Sequence, residues 1–503
     1  MNGPPHPSES QSRSSESFPA PVYAETVLAV NFEDAKKYFL DALLEIHSAH
    51  ILMLARQSII PTADARLCLE AIARLDRPKI LAARYDGHCE DLFFHVQDLL
   101  VRACGEEVAG KIHTARSRND IDVTMYRMCL RREILEIATE TADARSVLLD
   151  LAAAHVGTVM PAYTHTQPAQ PTMLAHYLLA AVEFLSRDIR RLRAAFATIN
   201  RSPLGACAIT TTGFPIDRDY TARLLGFEGL QVNSYDAIAA IDYLSEAASA
   251  VAVLALNLGR LVQDLLLWCT EEFGFLRLSD AYVQISSIMP QKRNPVALEH
   301  VRILASKAFS QAQAVLTCAH NTPFGDIVDS EDDLQPLAFS MCTDALRALR
   351  LFAGTMSHAE VDRDRMRLRA GSGFLCVTEL ADTLVREEGI SFLKAHHLVG
   401  TAVRTVGREH SPEALVSALK GLAPKMLGRE LGMPREIWMR ALDPDHFVSV
   451  RKVPGGPALE AIQAQLATTR REQAETQEWC TAKRALLERY PQLVRVDIGA
   501  LNH

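Results

Sequence analysis

Three short polar stretches carry the residue types that acid–base and anion-binding chemistry uses. The longest reads Ser286-Ser287-Ile288-Met289-Pro290-Gln291-Lys292-Arg293-Asn294-Pro295. It sets two hydroxyls, two cations and an amide between prolines, which suits a loop that folds over an anion. Removing a proton beside a carboxylate needs a base for a weakly acidic C–H and cations for the doubly charged aci-carboxylate that forms. A serine serves as that base only where positive charge or backbone donors stabilise its alkoxide, and Lys292 could stabilise both charges. As bare chemistry the stretch is equally a solvated polar turn.

A second stretch, Lys111 to Asp120, combines Arg116 and Arg118 with Asn119. Guanidinium groups capture carboxylates in bidentate fashion, and an Asn amide can donate to the same group. Alone, the run also reads as an exposed helix start with Asp or Asn near its cap. A third, Pro161 to Pro171, has one His165 among Thr164, Thr166, Gln167 and Gln170; a lone His is more often structural. A fourth segment, Asn321 to Pro336, is unusually acidic, with Asp326, Asp329, Glu331, Asp332 and Asp333.

The elements that must position these loops are helical. Ile241, Leu244, Ala248, Val251, Ala255, Leu258, Val262 and Leu265 step by threes and fours without a slip, which is a heptad seam. With no Pro and one Gly from Tyr235 to Trp268, a single helix of roughly 50 Å is expected there. Further long helices are expected over 172–200 and 297–320, and shorter ones after about Arg367, where Pro434 and Gly455-Gly456-Pro457 act as breakers. Seams of this length bury against one another, so a long all-α bundle completed by other subunits is expected. The domains read as a disordered tail over 1–20, an N-terminal helical domain over 21–115, a central bundle over 116–366 and a C-terminal helical domain over 367–503.

Composition narrows the function classes. The 503 residues are 48% hydrophobic and 23% charged, with a net charge of −8, which argues against a general nucleic-acid or anionic-membrane surface. An anionic substrate must then be held by local cations. Ten scattered cysteines without metal-site spacing, and a Ser/Pro-rich start without an apolar core, point to a reduced, cytoplasmic protein that does not span a membrane.

As a string, SSIMPQKRNP resembles the signature loop of the fumarase/aspartase superfamily. Lys111–Asp120 is similar to the H-T-[AG]-R-S-R-N-D motif of argininosuccinate lyases, and Pro161–Pro171 to their second active-site loop. The resemblance implies an all-α fold of three helical domains, whose central long-helix bundle tetramerises into a twenty-helix core with active sites shared between subunits. It implies reversible elimination of fumarate from an N-substituted aspartate (argininosuccinate to arginine and fumarate), without a metal or organic cofactor. It casts Ser286 as the base, with Lys292, Asn294, Arg118, Asn119 and Thr164 on the substrate. His165 handles a proton and pairs with Glu299.

Several positions depart from that pattern. Ile285 replaces the Gly before the two serines, and Val296 replaces the Asp after Asn294-Pro295. Counting without gaps, the family's substrate-binding Tyr, Gln and Lys fall on Asp326, Glu331 and Leu334. The succinyl half of the site is kept while the amine half is replaced by acids, so the alternative is a lyase of the same family acting on a different N-succinyl amine. On that alternative Asp326 and Glu331 contact the amine.

Overall fold

The computed structural model describes residues 18–407 and 411–500. Most of the expected tail, residues 1–17, lies outside the described residues. Helix α1 (Leu40–Arg56) and helix α2 (Leu92–Cys104) stand at the N-terminal side of a much longer helix, α3, which runs 37 residues from Arg118 to Ala154. A hairpin of β1 (Val159–Thr164) and β2 (Gln167–Met173) turns the chain back into α4 (Leu174–Ile199). Helix α5 (Asp242–Trp268) follows, then a short ladder of β3 (Gln284–Ile285) with β4 (Arg293–Asn294), then α6 (Val296–Ala319) and α7 (Gln335–Met356). Helix α3 packs on α4 and α7, α4 on α5, α5 on α6, and α6 on α7, so the five long helices close a ring.

The heptad seam lies inside that ring: Leu244, Ala248, Val251, Ala255, Leu258, Val262 and Leu265 are all buried. Small residues between them let α5 approach α4 and α6 closely. By length and apolarity α5 could cross a membrane, but half of its most apolar window is buried inside the chain, as in a core helix. The single helix expected over 235–268 is broken. Ser234–Ala239 forms its own turn-and-a-half, Ala240 is extended, and α5 starts afresh at Asp242. The break reorients the chain as it enters the bundle; Gly and Pro are absent from it, so no local breaker announces it.

The C-terminal part departs further from expectation. Four helices between Val377 and Ala441 close a separate small core around Leu380, Leu398, Leu415, Leu419 and Trp438. Beyond a short helix over Pro444–Ser449, α8 (Leu459–Ala500) is 42 residues long rather than one of several short ones. Between Leu459 and Tyr490 there is neither Gly nor Pro to stop it. It leaves the small core and lies along α3, so the segment 367–503 divides between two cores. Polar bonds hold it there. Arg145 of α3, almost fully buried, donates to Gln473 Oε1 at 2.7 Å, Thr476 Oγ1 at 2.9 Å and Ser186 Oγ at 2.9 Å.

Because these acceptors have no water to turn to, Arg145→Ala is expected to cost about 2–3 kcal/mol in urea unfolding. A loss below about 0.5 kcal/mol would show that apolar contact alone holds α8.

Candidate active site

The signature stretch folds as the turn of the β3–β4 ladder, with Ile285 opposite Arg293 and Gln284 opposite Asn294. Arg293 fixes its base by donating to the Leu278 carbonyl at 2.8 Å and pairing with Asp280. Ser286 opens the turn, and its Oγ accepts from the backbone N–H groups of Met289 at 3.1 Å and Ile288 at 3.4 Å. Two donors aimed at one hydroxyl oxygen favour its anionic form. Lys292 is exposed and makes no ion pair among the described residues, while Asn294 is half-buried. Glu299 sits exposed in the first turn of α6. Ile285 and Ile288 are 71% and 83% exposed, an unusual state for apolar side chains in a loop of this chemistry.

Thr164 and His165 occupy the tip of the β1–β2 hairpin. His165 and Thr166 both have positive φ, 51° and 62°, the backbone of a two-residue hairpin turn that Asn and Gly normally supply. Non-glycine residues in this region carry strain, and such strain gathers at functional sites. The tip is exposed, and within the chain Thr164, His165 and Glu299 make no hydrogen bond to one another.

Arg118 and Asn119 stand at the start of α3. Ser117 caps the helix reciprocally with Asp120. The buried Asp120 also accepts from the N–H groups of Gly205 at 2.8 Å and Cys207 at 3.0 Å, pinning the 203–211 loop to the helix start. Burial pushes its carboxyl up to about 6 despite those donors. Gly205 is obligatory at this junction, since φ is +89° and a Cβ would lie 2.7 Å from Arg218 Cγ. Asn119 donates to the Ala208 carbonyl at 3.2 Å. Arg118 pairs with Asp91 at 2.6 Å and Glu90 at 3.1 Å. Arg116, read from sequence as a second carboxylate-capturing cation, is instead buried, its Nη1 against His47 Nδ1 at 3.1 Å. Nearby, His50 Nε2 meets the Thr114 carbonyl at 2.8 Å. Burial, reinforced by Arg116, holds both histidines low, His50 at about 3, so they stay neutral.

The acidic segment joins this same end. Tyr126 of α3 donates to Asp332 at 2.9 Å. Asp326 and Glu331 share a hydrogen bond, and burial, then Asp326, raise Glu331 to about 8. Lost solvation, then Asp332 and Asp91, push Asp122 well above the carboxylate range. Leu334, on which the gapless count sets the family's Lys, is buried.

The bundle separates these groups. Helix α3 runs from Arg118 to the hairpin, and 37 residues at 1.5 Å each span about 55 Å. Helix α5 starts near the Arg118 end, where Arg127 lies 4.3 Å over the Tyr243 ring, and finishes near the hairpin, where the Tyr177 and Trp268 rings meet tilted with centres 4.8 Å apart. Arg118, Asn119, Asp326 and Glu331 therefore share one end of the chain. Thr164, His165, Ser286, Lys292, Asn294 and Glu299 share the other. Sequence reasoning missed Glu90 and Asp91 as partners of Arg118; Asp91, three residues before Phe94, was legible only as a helix cap.

The shared Asp326–Glu331 proton has a measurable consequence. Because the folded state holds Glu331 at about 8, above its usual 4.5, it binds more protons than the unfolded chain between those values. Stability should fall as pH rises through that window, most steeply near its middle and levelling off above 8. In Glu331→Gln this part of the slope should vanish from urea-unfolding free energies measured between pH 5 and 9; an unchanged slope would contradict the assignment.

Residues 79–310 match the family model described as Lyase, and 374–449 the one described as Argininosuccinate lyase C-terminal. Argininosuccinate lyase 2 of Agrobacterium fabrum is 41% identical over 458 residues, covering 90% of each chain. Argininosuccinate lyase of Methanoculleus marisnigri is 41% identical over 446 residues, 89% of this chain and 90% of that one. Among solved structures, EDDS lyase in complex with formate has a TM-score of 0.84 at 31% identity, covering 93% of this chain and 95% of its own. The fumarate lyase of Mesorhizobium sp. BNC1, at 18% identity and a TM-score of 0.68 over 85% and 94%, shares the fold. With two family models matched in the expected order and identity of 41% along nearly the whole chain, the protein belongs to the argininosuccinate lyase family of the fumarase/aspartase superfamily.

Proposed function

We propose that this protein is a cytoplasmic carbon–nitrogen lyase that splits argininosuccinate reversibly into arginine and fumarate, as a homotetramer whose active sites draw on several subunits. The observation that carries the reading is Ser286, whose Oγ faces two backbone donors in a turn that also presents the unpaired Lys292. As an alkoxide, Ser286 takes the Cβ proton of the aspartyl portion. The electron pair moves into the adjacent carboxylate, where Lys292, Asn294, Arg118 and Asn119 balance the doubly charged aci-carboxylate. Collapse of that intermediate breaks the C–N bond, and the departing nitrogen takes a proton with His165 and Glu299 assisting.

Sharing between subunits follows from length. Arg118 and Ser286 sit a bundle length apart, and packing on a second chain in the opposite sense is what would bring one chain's Arg118 to another's Ser286. The exposed Ile285 and Ile288 are the surfaces such a partner would cover.

A second reading keeps the reaction and changes the amine. It is favoured by Asp326 and Glu331 standing where the family's polar substrate contacts fall, and by the loss of the Lys to buried Leu334. Adding a panel of amines to fumarate separates the two; arginine as the sole reactive amine removes the second.

Fumarate release from argininosuccinate, followed by ultraviolet absorbance, tests the main reading. Ser286→Ala should lower kcat about 10²–10⁴-fold. Arg118→Ala should be similarly impaired, and co-assembly of the two inactive proteins should restore part of the activity. Full activity in Ser286→Ala refutes the chemistry; no recovery on co-assembly refutes the sharing.

A further inference from the structure

Beneath the hairpin lies a cavity of about 520 Å³ that contains none of the residues assigned to catalysis above. We propose that it is a binding site for a small organic cation carrying a carboxylate, the chemistry of a guanidino or amino acid. Its volume falls in the range of pockets that enclose a small molecule. Its walls are aromatic and come from different parts of the chain. Tyr163 of β1 packs on Phe273 with ring centres 5.7 Å apart, Tyr177 of α4 on Trp268 of α5 at 4.8 Å, and Phe447 closes the C-terminal side.

Two charged groups in these walls keep free bonding capacity. Asp264 of α5 accepts from the Tyr177 hydroxyl at 2.7 Å through Oδ2, and no cation among the described residues pairs with it. A carboxylate set among aromatic faces favours an organic cation, whose charge both attract. Opposite in sign is Arg451, which lies 3.3 Å from the Phe447 ring centre. Its Nη1 donates to Glu379 at 3.0 Å and to the Phe447 carbonyl at 2.5 Å, leaving Nη2 and Nε without an acceptor among the described residues. Glu379 is also paired with Arg386, so two guanidinium groups share one carboxylate and one positive charge remains. A guanidinium edge with free donors is a carboxylate site.

Other occupants fit less well. The one lining histidine, His176, is engaged at both nitrogens, by Thr172 Oγ1 and the Gly455 carbonyl, each at 2.9 Å, so it has no position for a metal. A simple inorganic anion would leave Asp264 and the aromatic walls unused. The hairpin's Tyr163 and Thr166 line the cavity, so an occupant would bear directly on the residues that flank Thr164 and His165.

Intrinsic fluorescence of the full-length protein reads occupancy through Trp268, with Trp268→Phe as the signal control. L-arginine is the probe with both charges; agmatine lacks the carboxylate, and hexanoate lacks the cation. We expect saturable binding of L-arginine, and about tenfold or greater weakening for agmatine, for hexanoate and for L-arginine on Asp264→Asn. Asp264 is exposed, and a thermal melt should show that its variant folds like the wild type. No saturable change up to about 10 mM L-arginine overturns the proposal. So does a folded Asp264→Asn that binds as tightly as wild type, because the ligand then sits elsewhere. The measurement uses no turnover, so failure of the lyase reading leaves it intact, and its own failure leaves that reading intact.

Discussion

A rigid ring of five long helices is the constraint from which the rest of the molecule follows. Burying the heptad seam of α5 against α4 and α6 fixes the helices over most of their length, and their ends are then held about 55 Å apart. Loops that emerge at the ends inherit that separation. The polar stretches therefore fall into two groups, one with Arg118 and the acidic segment, the other with Ser286 and the His165 hairpin. Adjusting a loop cannot bring them together inside one chain.

At each end, ordinary local devices place the side chains. The capping box of Ser117 and Asp120 sets the first turn of α3, and Asp120 extends the same carboxylate to the 203–211 loop. At the far end a strained two-residue turn lifts Thr164 and His165 clear of the sheet, while Arg293 staples the base of the signature turn. Charge is paired unevenly between the ends: carboxylates crowd around Arg118, whereas Lys292 makes no ion pair among the described residues. Because Arg118 is paired with Glu90 and Asp91, any carboxylate ligand there would compete with two internal carboxylates.

Much of this was legible in the sequence. The seam positions from Leu244 to Leu265 are all buried, and the helices expected over 172–200 and 297–320 span Leu174–Ile199 and Val296–Ala319. The loops were found because their residue strings resemble those of a known family. Helix α3 was not foreseen because it is buried on nearly every side, Arg127 and Arg131 included, so no single apolar stripe marks it. The break at Ala240 and the length of α8 are tertiary choices, made by what the helices pack on rather than by Gly or Pro. The burial of Arg116 depends on His47 and His50, which lie more than sixty positions earlier and carry no pattern linking them to it.

The docking of α8 on α3 has a consequence for how the chain is made. Arg145 finds its acceptors Gln473 and Thr476 only 328 and 331 residues later, and Arg131 and Arg132 meet Tyr490 later still. Until that distant helix has left the ribosome, Arg145 lacks two of its three side-chain acceptors and the nascent bundle has an open apolar flank. Contacts this far apart in sequence form late and slowly. The final strap thus closes the core only after the three polar loops have been made.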